Sequence, residues 1–208
     1  MRHLTIQAIR EVCKIYPELA EISIFIETGT YKGGTTFPMS KHFKHVYTVE
    51  INKKAHDLCQ QYALKNNIKN VTFFLGDSSQ KLPEMIKLAG SAGANAGKLY
   101  FLDGHVTQNG TGLTGKGVYD VPLLLELQAI DTFDPAPSVI FIDDMRLFGE
   151  NDKTKCAGAD WSQITLQNIL NQFTAGRIKK HFVDPSFNST SNKLENDRYV
   201  IVLNAKTA

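Results

Sequence analysis

The stretch Ile24-Phe25-Ile26-Glu27-Thr28-Gly29-Thr30-Tyr31-Lys32-Gly33-Gly34-Thr35-Thr36 decides how the chain is read. An apolar run rich in β-branched residues ends in an acid and passes into a glycine-rich turn, after which residues 35–43 can be helical. Strand, loop and helix N-terminus, in that order, form the place where an open α/β sheet binds a nucleotide-like ligand. Glycines at 29 and 33 let the backbone approach such a ligand with no Cβ in the way. A dinucleotide fingerprint, G-x-G-x-x-G, would need glycine at 27, and the chain has Glu27 there. An acid before a glycine turn is also ordinary turn chemistry, and the remaining strands decide between the two.

On the N-terminal side, Ile6, Ile9, Val12, Cys13 and Tyr16 recur at helical spacing, so 1–20 holds a helix that Pro17 stops. On the other side, apolar runs at 45–50, 71–75, 98–102 and 138–142 read as strands. Helices are expected at 53–65, capped by Asn52 and ended by Asn66-Asn67, and at 80–88 and 122–130. A last helix over 161–173 would take Asp160 as its cap. A glycine-rich loop covers 106–118, and its length suits a lid. Strands near 178–183 and 198–203 close the chain, joined by an Asn/Ser-rich polar connection over 186–197. Strands that alternate with helices and carry unbroken apolar runs predict a doubly wound, mostly parallel, seven-stranded sheet with helices on both faces. The last two strands have no helix between them and are expected to form an antiparallel hairpin. One domain spans 1–208.

The 208 residues suffice for one domain with a sizeable core, and the formal charge of +2 gives no reason to expect nucleic acid or an anionic membrane as partner. Three scattered cysteines without C-x-x-C spacing read as free thiols. The first 16 residues lack the apolar segment of a signal peptide, and no run is long enough to cross a bilayer. A soluble, cytoplasmic protein with a small-molecule substrate, with a homo-oligomer as a candidate state, is the expectation these features support.

The informative pattern is where carboxylates fall. Glu27, Glu50, Asp77, Asp103 and Asp143 each follow an apolar strand or its closing turn, positions that line one crevice in an open sheet. Any one of them could be a cap; five in register point to a ligand. Glu50 lies about twenty residues past the glycine turn, where two acceptor oxygens match the vicinal diol of a ribose. Asp77, in Gly76-Asp77-Ser78-Ser79, could equally cap the next helix.

The form E-x-G-x-x-x-G at 27–33 resembles the first motif of class I S-adenosylmethionine-dependent methyltransferases, and the strand order resembles theirs over nearly the whole chain. That resemblance implies a cofactor site of Glu27, Thr28, Gly29, Thr30, Gly33, Thr35, Glu50, Ile51, Gly76, Asp77, Ser78 and Asp103. It places Glu27 at the methionine end, Glu50 at the ribose and Asp77 at the adenine. Asp103 with Asp143-Asp144 also looks like the acids of metal-dependent O-methyltransferases of the catechol type, and more closely of the macrocin type, which carry a histidine after the fourth strand. Here that histidine is His105.

Adjacent parallel strands would bring Asp103 and Asp143 close enough to repel unless they hold a proton or a cation, and an all-oxygen set suits Mg²⁺. Taken with the resemblance, which adds Asp144, the expected metal ligands are Asp103, Asp143 and Asp144, with His105 or Asp103 as base. Side chains at 143 and 144 point to opposite faces if the strand continues through both, so both reach one ion only if the backbone turns there. The implied activity is transfer of a methyl group to a hydroxyl of a small molecule such as a sugar or diol. The rivals are a metal-independent methyltransferase, a non-catalytic cofactor-binding module and a dinucleotide oxidoreductase.

Overall fold

The computed structural model describes residues 3–17, 21–91, 96–106, 110–184 and 197–206. Apolar runs bounded by turn residues become the strands β1 (Ile24–Thr28), β2 (His45–Glu50), β3 (Val71–Leu75), β4 (Lys98–Leu102), β5 (Ser138–Ile142), β6 (Ile178–Val183) and β7 (Tyr199–Leu203). They form a single sheet in the order β3-β2-β1-β4-β5-β7-β6. The pairs from β3 through β5 are parallel, while β7 runs antiparallel between β5 and β6. This is the doubly wound, seven-stranded architecture with a C-terminal hairpin that the strand pattern predicts. Every residue of β1, β4 and β5 is buried, as expected of central strands covered on both faces.

Alternation along those strands divides the core. Ile26, Tyr100 and Ile140 point to the face covered by α4 (Ser78–Ser91) and α5 (Leu123–Phe133), meeting Leu82, Met85, Leu127 and Ile130. Phe25, Phe101 and Phe141 point to the other face, where α1 (Ile6–Ile15) lays Ala8, Ile9 and Val12 against them. Thr5 caps α1, its hydroxyl accepting from Ala8 N at 3.2 Å. Thr5→Ala should therefore cost about 1 kcal/mol, read as a shift of the urea midpoint with unchanged slope. The end of the sheet away from the acids is closed by a buried polar knot. Lys98 Nζ donates to Asp134 Oδ1 at 2.7 Å, and Tyr100 and Ser138 hydroxyls donate to Asp134 Oδ2 at 2.8 and 2.7 Å.

Three other details bear on the site. The helix α3 (Lys53–Lys65) starts on Asn52, whose side chain accepts from Ala55 N. The helix expected over 35–43 is only α2 (Thr36–Met39), because the chain must return at once to β2: Phe43 packs on Phe25 at 5.3 Å and Lys44 N donates to Ser23 O at 2.8 Å. The helix expected over 161–173 is only α6 (Leu166–Leu170), with Thr165 rather than Asp160 as cap. Burial of Trp161 outweighs helix propensity there: the residue is 2% exposed and its backbone N–H donates to Glu150 O at 3.1 Å. Of the connection expected over 186–197, only Asp197 lies within the described residues. Among those residues no helix is long and apolar enough to cross a membrane.

Candidate active site

The turn after β1 lies directly against the end of β4. Gly29 has φ +85°, and a Cβ there would sit 2.3 Å from Asp103 O, so only glycine fits. Asp103 N donates back to Thr28 O at 3.2 Å. Glu50 organises the same turn from β2: one carboxylate oxygen accepts from Tyr31 N at 2.7 Å and the other from Asn52 N at 2.8 Å. Burial raises its pKa, while those backbone donors pull the other way. A carboxylate oxygen has a second lone pair, so both oxygens can still accept from a diol.

Gly29, Glu50, Ile51, Gly76, Asp77 and Ser78 all line one crevice at the carboxyl ends of the strands. Asp103 and His105 close its far side. Glu27, Thr28, Thr30, Gly33 and Thr35 do not line it. Glu27 is 1% exposed and faces inward, accepting from the Thr48 hydroxyl at 2.8 Å and from the Thr36 hydroxyl. Burial pushes its carboxyl up to about 7 against those two hydrogen bonds. Thr30 bonds the Thr48 hydroxyl at 2.6 Å, and Thr35 holds the N-cap position of α2 without a side-chain capping bond. These residues build the floor behind the turn rather than the crevice wall.

Asp77 takes the capping role its sequence context allowed and also holds the glycine-rich loop. Its Oδ1 accepts from Ser79 N at 2.9 Å at the start of α4, and its Oδ2 accepts from Val118 N at 2.9 Å. The second bond brings the glycine-rich loop over the crevice mouth.

A second cluster sits where β4 and β5 end. His105 Nε2 lies 2.9 Å from Asp144 Oδ2, and its Nδ1 lies 3.5 Å from Asp103 Oδ1. One ligand atom from each of Asp103, His105 and Asp144 falls within 4.8 Å of the others, a spacing that could hold a metal ion. Of the expected set of Asp103, Asp143 and Asp144, only Asp103 and Asp144 fall within this grouping. Asp144 takes a left-handed conformation, φ 59° and ψ 36°, and pairs with His105, while Asp143 stays beside Asp103 outside that grouping. Asp143 faces the buried Arg198, 3.6 Å from its Nε. Burial pushes Asp143 up to about 7, with Arg198 opposing. Burial works in the same sense on Asp144, yet His105 and Arg146 hold it down to about 2. Burial and the neighbouring Asp143 and Asp144 raise Asp103 well above the usual carboxylate range. Trp161 packs edge-on to the imidazole, with ring centroids 5.0 Å apart.

One acid near the site was not legible. Glu126, in the first turn of α5, is 1% exposed beneath Gly104, and a Cβ on Gly104 would meet its Oε1 at 2.9 Å. That oxygen has no hydrogen-bond partner among the described residues, and burial pushes the carboxyl up to about 7. In sequence it reads only as an acid favourably placed at a helix N-terminus.

No family model matches the chain, and no curated protein matches it in sequence. Its structure is similar to many solved ones. Cofactor-bound Rv0187 from MTB superposes with a TM-score of 0.59 at 14% identity, covering 98% of this chain and 82% of that one. SMU.1697c, a candidate methyltransferase from Streptococcus mutans in complex with S-adenosylhomocysteine (SAH), gives 0.56 at 14% identity, with 98% and 99% covered. A candidate rRNA methylase from Clostridium thermocellum gives 0.57 at 9% identity, with 94% and 97% covered. The chain thus has the Rossmann-like methyltransferase fold. Because a protein named for rRNA shares it, the fold does not carry the expectation that nucleic acid is excluded as a partner.

Proposed function

We propose that this chain is an S-adenosylmethionine-dependent methyltransferase that methylates a hydroxyl of a small molecule such as a sugar or diol, assisted by a divalent ion. The observation that carries the reading is the convergence of Glu50, Asp77 and Asp103 on one crevice whose wall, at Gly29, admits only glycine. Glu50 offers both oxygens to a ribose diol, Asp77 an acceptor to an adenine amino group, and the Gly29 turn a close backbone surface. Bound there, S-adenosylmethionine supplies a sulfonium-activated methyl group that leaves a neutral thioether behind. The chain's own tasks are then to align the acceptor and take up its proton.

Asp103 and His105 stand at the end of the crevice for the second task. In the ion-free site His105 takes the hydroxyl proton, with Asp144 on its Nε2 orienting the ring and stabilising the imidazolium. A divalent ion suits Asp103, His105 and Asp144, and would lower the pKa of a hydroxyl bound to it. An imidazole beside two carboxylates favours Mn²⁺, Fe²⁺ or Zn²⁺ over the Mg²⁺ that an all-oxygen set implied. Metal-independent transfer is the second reading, favoured by the way His105 and Arg146 already satisfy Asp144.

Calorimetry with SAH and Mn²⁺ tests cofactor and ion separately. Glu50→Ala should raise the Kd for SAH about 10- to 100-fold, the worth of hydrogen bonds to a charged acceptor. Unchanged affinity would remove Glu50 from the site. Retained turnover after chelation would select the metal-independent reading. Labelled-methyl transfer to rRNA but to no member of a panel of sugars and diols would overturn the small-molecule reading.

A further inference from the structure

The loop that follows β4 does not hang free. From 110 to 118 it runs across the crevice mouth and is fastened at three places. Asn52 Nδ2 donates to Gly112 O at 3.4 Å and to Thr114 O at 3.1 Å. Val118 N donates to Asp77 Oδ2. Leu113, only 9% exposed, is seated between the crevice and an adjoining cleft lined by Tyr31, Phe37, Leu58, Cys59 and Tyr62. The loop's own glycines make this seat possible. A Cβ on Gly117 would fall 2.1 Å from Asp77 Oδ2, and one on Gly115 would fall 2.6 Å from Ile51 Cγ2. Neither glycine has a positive φ, so neither is required by its own backbone conformation; each is required only by what the loop lies against.

The loop therefore occupies groups that the proposed function assigns to adenosine. Asp77 Oδ2 is bonded to it, and Ile51 is covered by it. The cavity left beneath has a volume of about 60 Å³. Sites for ligands of cofactor size run to about 300 Å³ and more.

We propose that residues 110–118 form a gate latched by Leu113, and that the empty protein admits its cofactor only after the latch opens. The gate rests on the reading of the crevice as the cofactor site; the latch does not. Burial of a leucine side chain favours the closed loop by a factor of about 10 to 100. Opening exposes Asp77 and Ile51 together, because Gly117 and Gly115 lift with the same segment.

Two measurements separate latch from gate. Lys116 lies inside the segment, its side chain paired to Asp120 at 2.6 Å, so trypsin cleavage after Lys116 reports opening without any ligand. Leu113→Ser removes the seated side chain, and Gly117→Ala blocks docking without straining the backbone. Both should speed cleavage at Lys116 at least about 10-fold over the parent. Equal cleavage in all three proteins overturns the latch. Stopped-flow mixing with SAH, followed on the single Trp161, should then give an observed rate that saturates with SAH in the parent and rises linearly in both variants. Linear rates in all three overturn the gate even where the latch stands. Failure of SAH to bind any of them overturns the crevice reading itself, and the gate with it.

Discussion

His105→Ala is expected to lower kcat for methyl transfer about 100- to 10,000-fold while changing the Kd for SAH less than about 10-fold. The imidazole stands between two carboxylates, with Asp144 Oδ2 at 2.9 Å on one nitrogen and Asp103 Oδ1 at 3.5 Å from the other. A ring so held can take a proton, or bind an ion, without the reorganisation a solvated histidine would need. Its loss should therefore fall on the chemical step. The proposed ribose and adenine acceptors, Glu50 at the end of β2 and Asp77 just before α4, lie elsewhere on the crevice and are left intact. Asp144→Asn should reproduce most of the loss, since it keeps the size of the side chain but removes the charge that orients the ring. Calorimetry on the same variants with Mn²⁺ divides the two readings. If the ion is used, both substitutions abolish its binding; if it is not, the parent shows none either. A His105→Ala protein that keeps full kcat would remove this cluster from the chemistry altogether.

The strands from β2 to β5 could be read from the chain because each is an apolar run closed by a residue that ends strands: Glu50, Gly76, Asp103 and Asp143. Burial on both faces of β4 and β5 keeps those runs almost wholly apolar, while β3, at the sheet edge, is marked by its own apolar residues and the Gly76 that closes it. The crevice was legible for the same reason, since strand ends in a parallel sheet share one rim. What failed was whatever depended on a single dihedral or a long-range contact. Asp144, at a positive φ, pairs with His105, and Asp143 faces Arg198, a residue 55 positions further on that no local pattern connects to it. Glu27 sits where the first motif wants an acid, yet its carboxyl turns inward to Thr36 and Thr48, a choice made by packing between β1, β2 and α2. The helix expected over 161–173 gave way because Trp161 is worth more in the core beside Phe148 and His105 than on an exposed helical turn. Glu126 was invisible because the glycine that makes room for it, Gly104, belongs to a different strand end.

Ligand-free protein should be markedly more stable near pH 5 than near pH 8, with Glu27 and Glu126 supplying part of the difference beside Asp103 and Asp143, whose carboxyls burial also raises. The Glu27 and Glu126 carboxyls are buried, and burial raises each from 4.5 to about 7 against the hydroxyl hydrogen bonds that oppose it. A carboxyl whose folded pKa is raised binds more proton in the folded than in the unfolded state between those two values. Its contribution to stability is therefore fully present below about 4.5 and is lost as the pH rises toward 7. A shift of that size corresponds to about 3 kcal/mol per group as an upper figure. Urea titrations from pH 5 to 8 should show the midpoint falling steadily across this window and levelling above it. Glu27→Gln and Glu126→Gln each remove one titrating proton while keeping shape and hydrogen-bonding capacity, so each should flatten the slope measurably, leaving the share of Asp103 and Asp143 in place. The lowered pKa of His45, caused by burial, works in the opposite sense and is common to parent and variants, so it cancels from the difference. If the variants retain the parent's full slope, the two carboxylates are not a source of it, and the inward placement of Glu27 does not carry the buried proton it implies.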